Sequence, residues 1–213
     1  MAQTQGVVIA PGSVVSQQQA GQNPVESQGG YGEQIVSELH GKWYTATRGG
    51  LVFTAAATAA ITLPITSAAL VSKFCLINPL GSGKVMELID ADFASVSATE
   101  VVNAIQLVYQ TTPGGVTGLA STTAGTILSS MLGSSAPAST SVATYYVAAT
   151  HTGTPVVYGS LWDVSATAAG ISSTHYEFDG KILVYPGCII DLATSTAGLT
   201  NWVGQLRWAE FAP

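Results

Sequence analysis

Between Val101 and Trp162 the chain carries no Asp, Glu, Lys or Arg at all. A free soluble monomer keeps its surface wet with interspersed charge, so a charge-free run of this length predicts a surface spent against other subunits. The contrasting reading is a Ser/Thr-rich surface solvated by its hydroxyls. Across all 213 residues only 8% are charged, against about 25% in an average soluble domain. The constraint is on assembly as much as on fold.

From Tyr31 onward the pattern is one of short strands separated by turns. Ile105, Leu107 and Tyr109 fall on one face of an extended segment and Gln106 and Gln110 on the other, before Thr111-Thr112-Pro113-Gly114-Gly115 breaks it. Val142 to Ala149 reads as a second strand, with a turn near His151 to Pro155, and Val156 to Leu161 as a third. Tyr176-Glu177-Phe178 and Ile182-Leu183-Val184-Tyr185 flank Asp179-Gly180, a pair that supplies the positive φ angles of a type I′ hairpin turn. Pro186-Gly187 turns the chain into Cys188 to Ala193. Trp202, Leu206 and Trp208 then share one face of the last strand, with Gln205 and Arg207 opposite. Leu119 to Ser141 reads as a long loop or insertion, and Glu33 to His40 as a short helix or an edge strand. The fold expected is all-β: a jelly-roll-like antiparallel β-sandwich over residues 31–213. At this length the core needs no disulfide or metal to hold it.

Residues 1–30 differ. Ser13 to Gly30 holds five Gln among Gly, Ser and Asn, and such a segment buries too little to offset its ordering entropy. It reads as an extended or disordered N-terminal arm. The Gly6 to Pro11 run is suited to adding as a strand to a neighbouring edge, and Val7, Val8, Ile9, Pro11, Val14 and Val15 are the candidate contacts.

Several classes are disfavoured. The net charge is −6 and the six basic residues (Lys42, Arg48, Lys73, Lys84, Lys181, Arg207) are scattered, whereas phosphate binding needs them clustered; nucleic acid is not an expected partner. Gly49 to Ser72 is uncharged, but its Ala, Thr and Pro64 fit strands better than a membrane helix. The N-terminus lacks the charged and apolar regions of a signal peptide. Cys75 and Cys188 both lie in apolar strand-like segments and read as small buried hydrophobes.

Candidate chemistry is sparse. Asn78-Pro79-Leu80-Gly81-Ser82-Gly83-Lys84-Val85 imitates a phosphate loop, but it lacks the first Gly, the Ser or Thr after Lys, and the following helix; it reads as a Gly-rich turn with an exposed Lys. Glu87, Asp90 and Asp92 are the densest acidic group, with Asp90 and Asp92 on one strand face, yet they lack the glycine and bidentate Glu of a calcium loop. His40, His151 and His175 show no ligand spacing. No catalytic, cofactor-binding or metal residue is assigned from the sequence, and an enzyme is not expected. Trp43, Trp162, Trp202 and Trp208, with the eight tyrosines, could form a sugar-stacking platform or subunit hot spots; Trp202 and Trp208, which share a face with Leu206, are read as core.

Ser37-Glu38-Leu39-His40-Gly41-Lys42-Trp43-Tyr44, Asn78-Pro79 with Gly81-Ser82-Gly83-Lys84, Tyr185-Pro186-Gly187 and the ending Trp208-Ala209-Glu210-Phe211-Ala212-Pro213 together resemble virion structural proteins of tailed bacteriophages, of the jelly-roll head decoration (cement) type. Ala209 stands where the family ending has an acidic residue. The resemblance implies a homotrimer on the capsid surface, assembled in the host cytoplasm, with the phage major capsid protein as its partner and no cofactor. A tail- or fibre-associated receptor or carbohydrate-binding sandwich is the alternative.

Overall fold

Among the described residues, fourteen strands form two antiparallel sheets packed face to face, with one helical turn beside them. The structure, a computed structural model, describes residues 41–57, 59–67, 69–96, 102–111, 118–133, 140–164, 173–196 and 198–213. The strands are β1 (Val52–Ala56), β2 (Ile61–Leu63), β3 (Val71–Ser72), β4 (Cys75–Asn78), β5 (Val85–Ser95), β6 (Asn103–Thr111) and β7 (Leu119–Ala124). They continue as β8 (Ile127–Ser129), β9 (Thr144–His151), β10 (Val156–Val164), β11 (Ser173–Glu177), β12 (Leu183–Val184), β13 (Cys188–Thr194) and β14 (Leu199–Phe211). Trp43–Pro213 is one compact unit. The arm contacts expected at Val7, Val8, Ile9, Pro11, Val14 and Val15 lie outside the described residues, as does Glu33 to His40.

The strand order is that of a jelly roll. One sheet runs β11-β5-β14-β1-β8, with β12 also on β5, and the other runs β10-β6-β13-β4-β9-β3. Setting aside the short β2–β3 and the β7–β9 insertion leaves β1-β14-β5-β11/β12 facing β4-β13-β6-β10. The last strand thus lies between the first and the third of the frame, as two interlocked Greek keys require. The insertion widens both sheets, because β8 adds beside β1 and β9 adds beside β4.

The core is the sum of the period-two faces. Phe53, Leu76, Leu88, Leu107, Ile190, Trp202 and Trp208 meet between the sheets, and burial of one such Trp is worth about 3–5 kcal/mol against Ala. Central strands of the second sheet read instead as nearly unbroken apolar runs, because both of their faces are covered. On its outer face Cys75, Ile77 and Ile189 pack with Leu119 and Ala149, and Val108 and Ala193 pack under Leu70. The helical turn α1 (Tyr44–Arg48) has the corresponding role on the first sheet: Trp43 and Ala46 pack on Val52, Ile89 and Ala209.

Two sequence expectations are corrected. Of the two readings of Leu119 to Ser141, loop or insertion, the loop is set aside, since β7 and β8 lie within it. Asp179-Gly180 does adopt positive φ, 49° and 75°, and Lys181 N–H closes the turn on Phe178 O, but it makes no hairpin. Its flanks β11 and β12 both pair with β5 rather than with each other. The turn is a bulged interruption of one strand, and it drives Phe178 into the core.

Candidate functional site

A run of exposed apolar residues gathers where the two sheets part. Strand β10 ends its sheet, and its first three residues, Val156, Val157 and Tyr158, are all exposed, at 53%, 42% and 58%. Alternation should hide every second one of these; here all three are exposed, whereas Leu161 and Val164 further along the strand join the core. Beside them, between β10 and β12, opens a groove of about 520 Å³ lined by Tyr109, Tyr158, Leu183, Tyr185, Pro186 and Cys188. Its floor is core, Leu107 and Ile190. Tyr185 and Leu183 are exposed at the rim. Burial pushes the Cys188 thiol up, which keeps it an uncharged lining atom. Three tyrosines and aliphatic neighbours make this a surface for apolar or ring-stacking contact.

A second, shallow hollow lies on the outer face of the first sheet, where His175, Asp92 and Gln205 stand side by side on β11, β5 and β14. His175 Nδ1 is 2.6 Å from Asp92 Oδ1, and Gln205 donates to Asp92 Oδ2. One row along, Arg207 Nε donates to Asp90 Oδ1 at 2.6 Å. Asp90 and Asp92 share a face as the alternation predicted, and both carboxylates are engaged by cations and amides. The Asp92 hydrogen bond raises His175, which favours an imidazolium. A protonated His is a donor and not a base.

The phosphate-loop imitation is a structural turn. Asn78 Nδ2 donates to Lys84 O and Val184 O, and Ser82 Oγ donates to Asn78 Oδ1; Gly81 and Gly83 take positive φ. Lys84 is half-buried, with Nζ 3.8 Å from Glu210. Glu210 is itself fully buried and accepts from Ser141 Oγ, Val142 N, Ala143 N and Trp208 Nε1. That carboxylate is an anchor for the chain entering β9.

A third centre was invisible in the sequence. His151 closes β9 rather than lying in a turn, and its buried ring spans Gln110 Oε1 at 2.8 Å and Asp191 Oδ2 at 3.0 Å. Cys75 is level with Asp191 on the adjacent β4. Gln110, His151 and Asp191 stand about 40 residues apart in sequence, so no local spacing announces them. Cys75 and Cys188 are free thiols.

No helix among the described residues is long and apolar enough to cross a membrane. Compared with known proteins, the chain matches no family model, no curated protein and no solved structure.

Proposed function

We propose that the chain is a non-catalytic virion structural subunit, a capsid decoration protein that self-associates through its β10 edge and attaches to the phage major capsid protein through residues 1–30. The observation that carries this reading is the three-residue apolar run Val156-Val157-Tyr158, exposed on an open sheet edge beside an apolar groove. Soluble proteins blunt such edges with charge, Pro or a covering element. This edge has none of the first two between Val156 and Leu161, and it lies within the charge-free run. A head-to-tail contact that packs each edge against a neighbour closes into a ring when its rotation allows, and a trimer satisfies that condition. The jelly roll and the turn motifs of the sequence are consistent with the same reading, although a fold by itself names no function.

Light scattering on the purified full chain tests it. The expected mass is that of a trimer, and Val157→Lys is expected to give a folded monomer with unchanged far-ultraviolet circular dichroism. A wild-type monomer overturns the self-association. Removing residues 1–30 is expected to spare the oligomer and abolish attachment to capsids. The ring of Tyr109, Tyr158 and Tyr185 around the groove favours one other reading, carbohydrate binding by a receptor-associated sandwich; specific glycan-array binding by a wild-type monomer would select it.

A further inference from the structure

We propose that Cys75, His151 and Asp191 form a buried binding site for a divalent transition metal ion of the zinc class, which ties strands β4, β9 and β13 together. Their ligand atoms all lie within 4.8 Å of one another, and the three side chains are buried. Tetrahedral zinc with bonds of about 2.0–2.3 Å holds its ligand atoms roughly 3.3–3.7 Å apart. Small side-chain rotations about the present positions reach that spacing. Thiolate, imidazole and carboxylate together select zinc-like ions over magnesium or calcium.

The surroundings of the three ligands are what distinguish this cluster from a chance meeting. Gln110 Nε2 donates to Gly118 O, which turns Gln110 Oε1 toward His151 Nδ1. That nitrogen must therefore carry a hydrogen, and Nε2 is the atom facing Asp191. Metal-bound histidines are held in this way, with the far N–H given to an oxygen acceptor. The carboxylate is oriented likewise: Leu192 N–H donates to Asp191 Oδ1 at 2.6 Å and Ser72 hydrogen-bonds the same group. Oδ2 is left facing Nε2. Two lone pairs 3.0 Å apart in a buried site need a cation between them, either a proton or a metal ion.

The charge count favours the metal when it is present. Cys75 is a free thiol, and it ligates a metal as the thiolate. Binding M²⁺ releases two protons, one from the Cys75 thiol and the one shared by His151 and Asp191. The product, M²⁺ with one thiolate, one carboxylate and neutral imidazole, has no net charge, which suits a buried centre. A water would complete the coordination. The site would pin the β7–β9 insertion, through His151, to the jelly-roll frame, through Cys75 and Asp191.

The test uses full-length protein from zinc-supplemented culture. Elemental analysis is expected to give one zinc per chain, and replacement by Co²⁺ is expected to give a thiolate-to-cobalt charge-transfer band. Cys188→Ser should retain that band and Cys75→Ser should lose it. Gln110→Leu, which leaves all three ligands in place, should weaken Co²⁺ binding by about 10–100-fold. Should Cys75→Ser fail to fold, the wild-type stoichiometry and spectrum decide alone. Wild-type protein without bound zinc and without a cobalt–thiolate band overturns the proposal, leaving a proton as the bridge; so does a band that survives in Cys75→Ser or vanishes in Cys188→Ser.

Discussion

His175 on β11 and Asp92 on β5 sit directly opposite each other, Nδ1 to Oδ1 at 2.6 Å, and each shifts the other's titration. The hydrogen bond to Asp92 is the main cause that raises His175 above its ordinary 6.5; slight burial opposes it, and the charges of Asp92, Asp90 and Glu177 add to it. For Asp92, burial pushes upward, but hydrogen bonds from Gln205 and His175 and the charges of His175 and Arg207 together leave it below its ordinary 3.8.

The signs fix a pH window. A raised His contributes stability that is complete below its unfolded value and lost as pH rises through the folded one. A lowered Asp contributes stability that is complete above its unfolded value and lost as pH falls through the folded one. The pair therefore helps most between about pH 4 and 6.5. By NMR, His175 is expected to titrate above 6.5 in the wild type and to fall back in Asp92→Asn. An unchanged midpoint in that variant would remove Asp92 as the cause. Since His175 is half-exposed, the effect on melting will be small.

Glu210→Gln is expected to destabilise the protein by about 2 kcal/mol, because a buried amide cannot accept from every donor now aimed at the carboxylate. Ser141, Ala143 and Trp208 donate to Oε1 and Val142 donates to Oε2; any placement of the new NH₂ sets hydrogen against hydrogen. Thermal melting should drop by about 4–8 °C. A drop of under a degree would mean that these donors find other acceptors.

What the sequence revealed depended on whether a signal was local. The faces of Ile105-Leu107-Tyr109 and Trp202-Leu206-Trp208 are set by strand alternation alone, and both turn inward as that pattern requires. β7 was hidden because only Leu119 is buried in it, and five exposed small residues show no alternation. Asp179-Gly180 announces its backbone angles but not its partners, and β5 captures both flanks. The Cys75, His151 and Asp191 cluster and the Glu210 anchor exist only through strand order and register, which no window of sequence contains.

Gly180→Ala probes that bulged turn. At φ +75° a Cβ is strained whatever the space around it, and here it would also meet the Glu87 carboxylate. The carboxylate is the end of a flexible side chain and can move, so the backbone term dominates, at about 1–2 kcal/mol. Melting should fall by roughly 2–8 °C, with Phe178 loosened from the core. No change would show that the turn relaxes to another form at no cost.

Tyr145→Phe should move stability in the opposite direction. Tyr145 is 1% exposed, its ring packs on Phe74 with centroids 5.0 Å apart, and its hydroxyl has no hydrogen-bond partner among the described residues. Burial, reinforced by the charges of Asp191 and Cys75, pushes the phenol up to about 12, so the group stays neutral and simply unsatisfied. An unpaired buried hydroxyl costs about 1–3 kcal/mol, and Phe keeps the ring while removing it. Trp202 Nε1 likewise has no partner among the described residues, but Trp202→Phe would open a cavity that offsets the gain. The expected result for Tyr145→Phe is a melting point higher by about 2–4 °C, the equivalent of roughly 1 kcal/mol. A fall of that size would mean that the hydroxyl is bonded in solution and contributes to holding β9 against the frame.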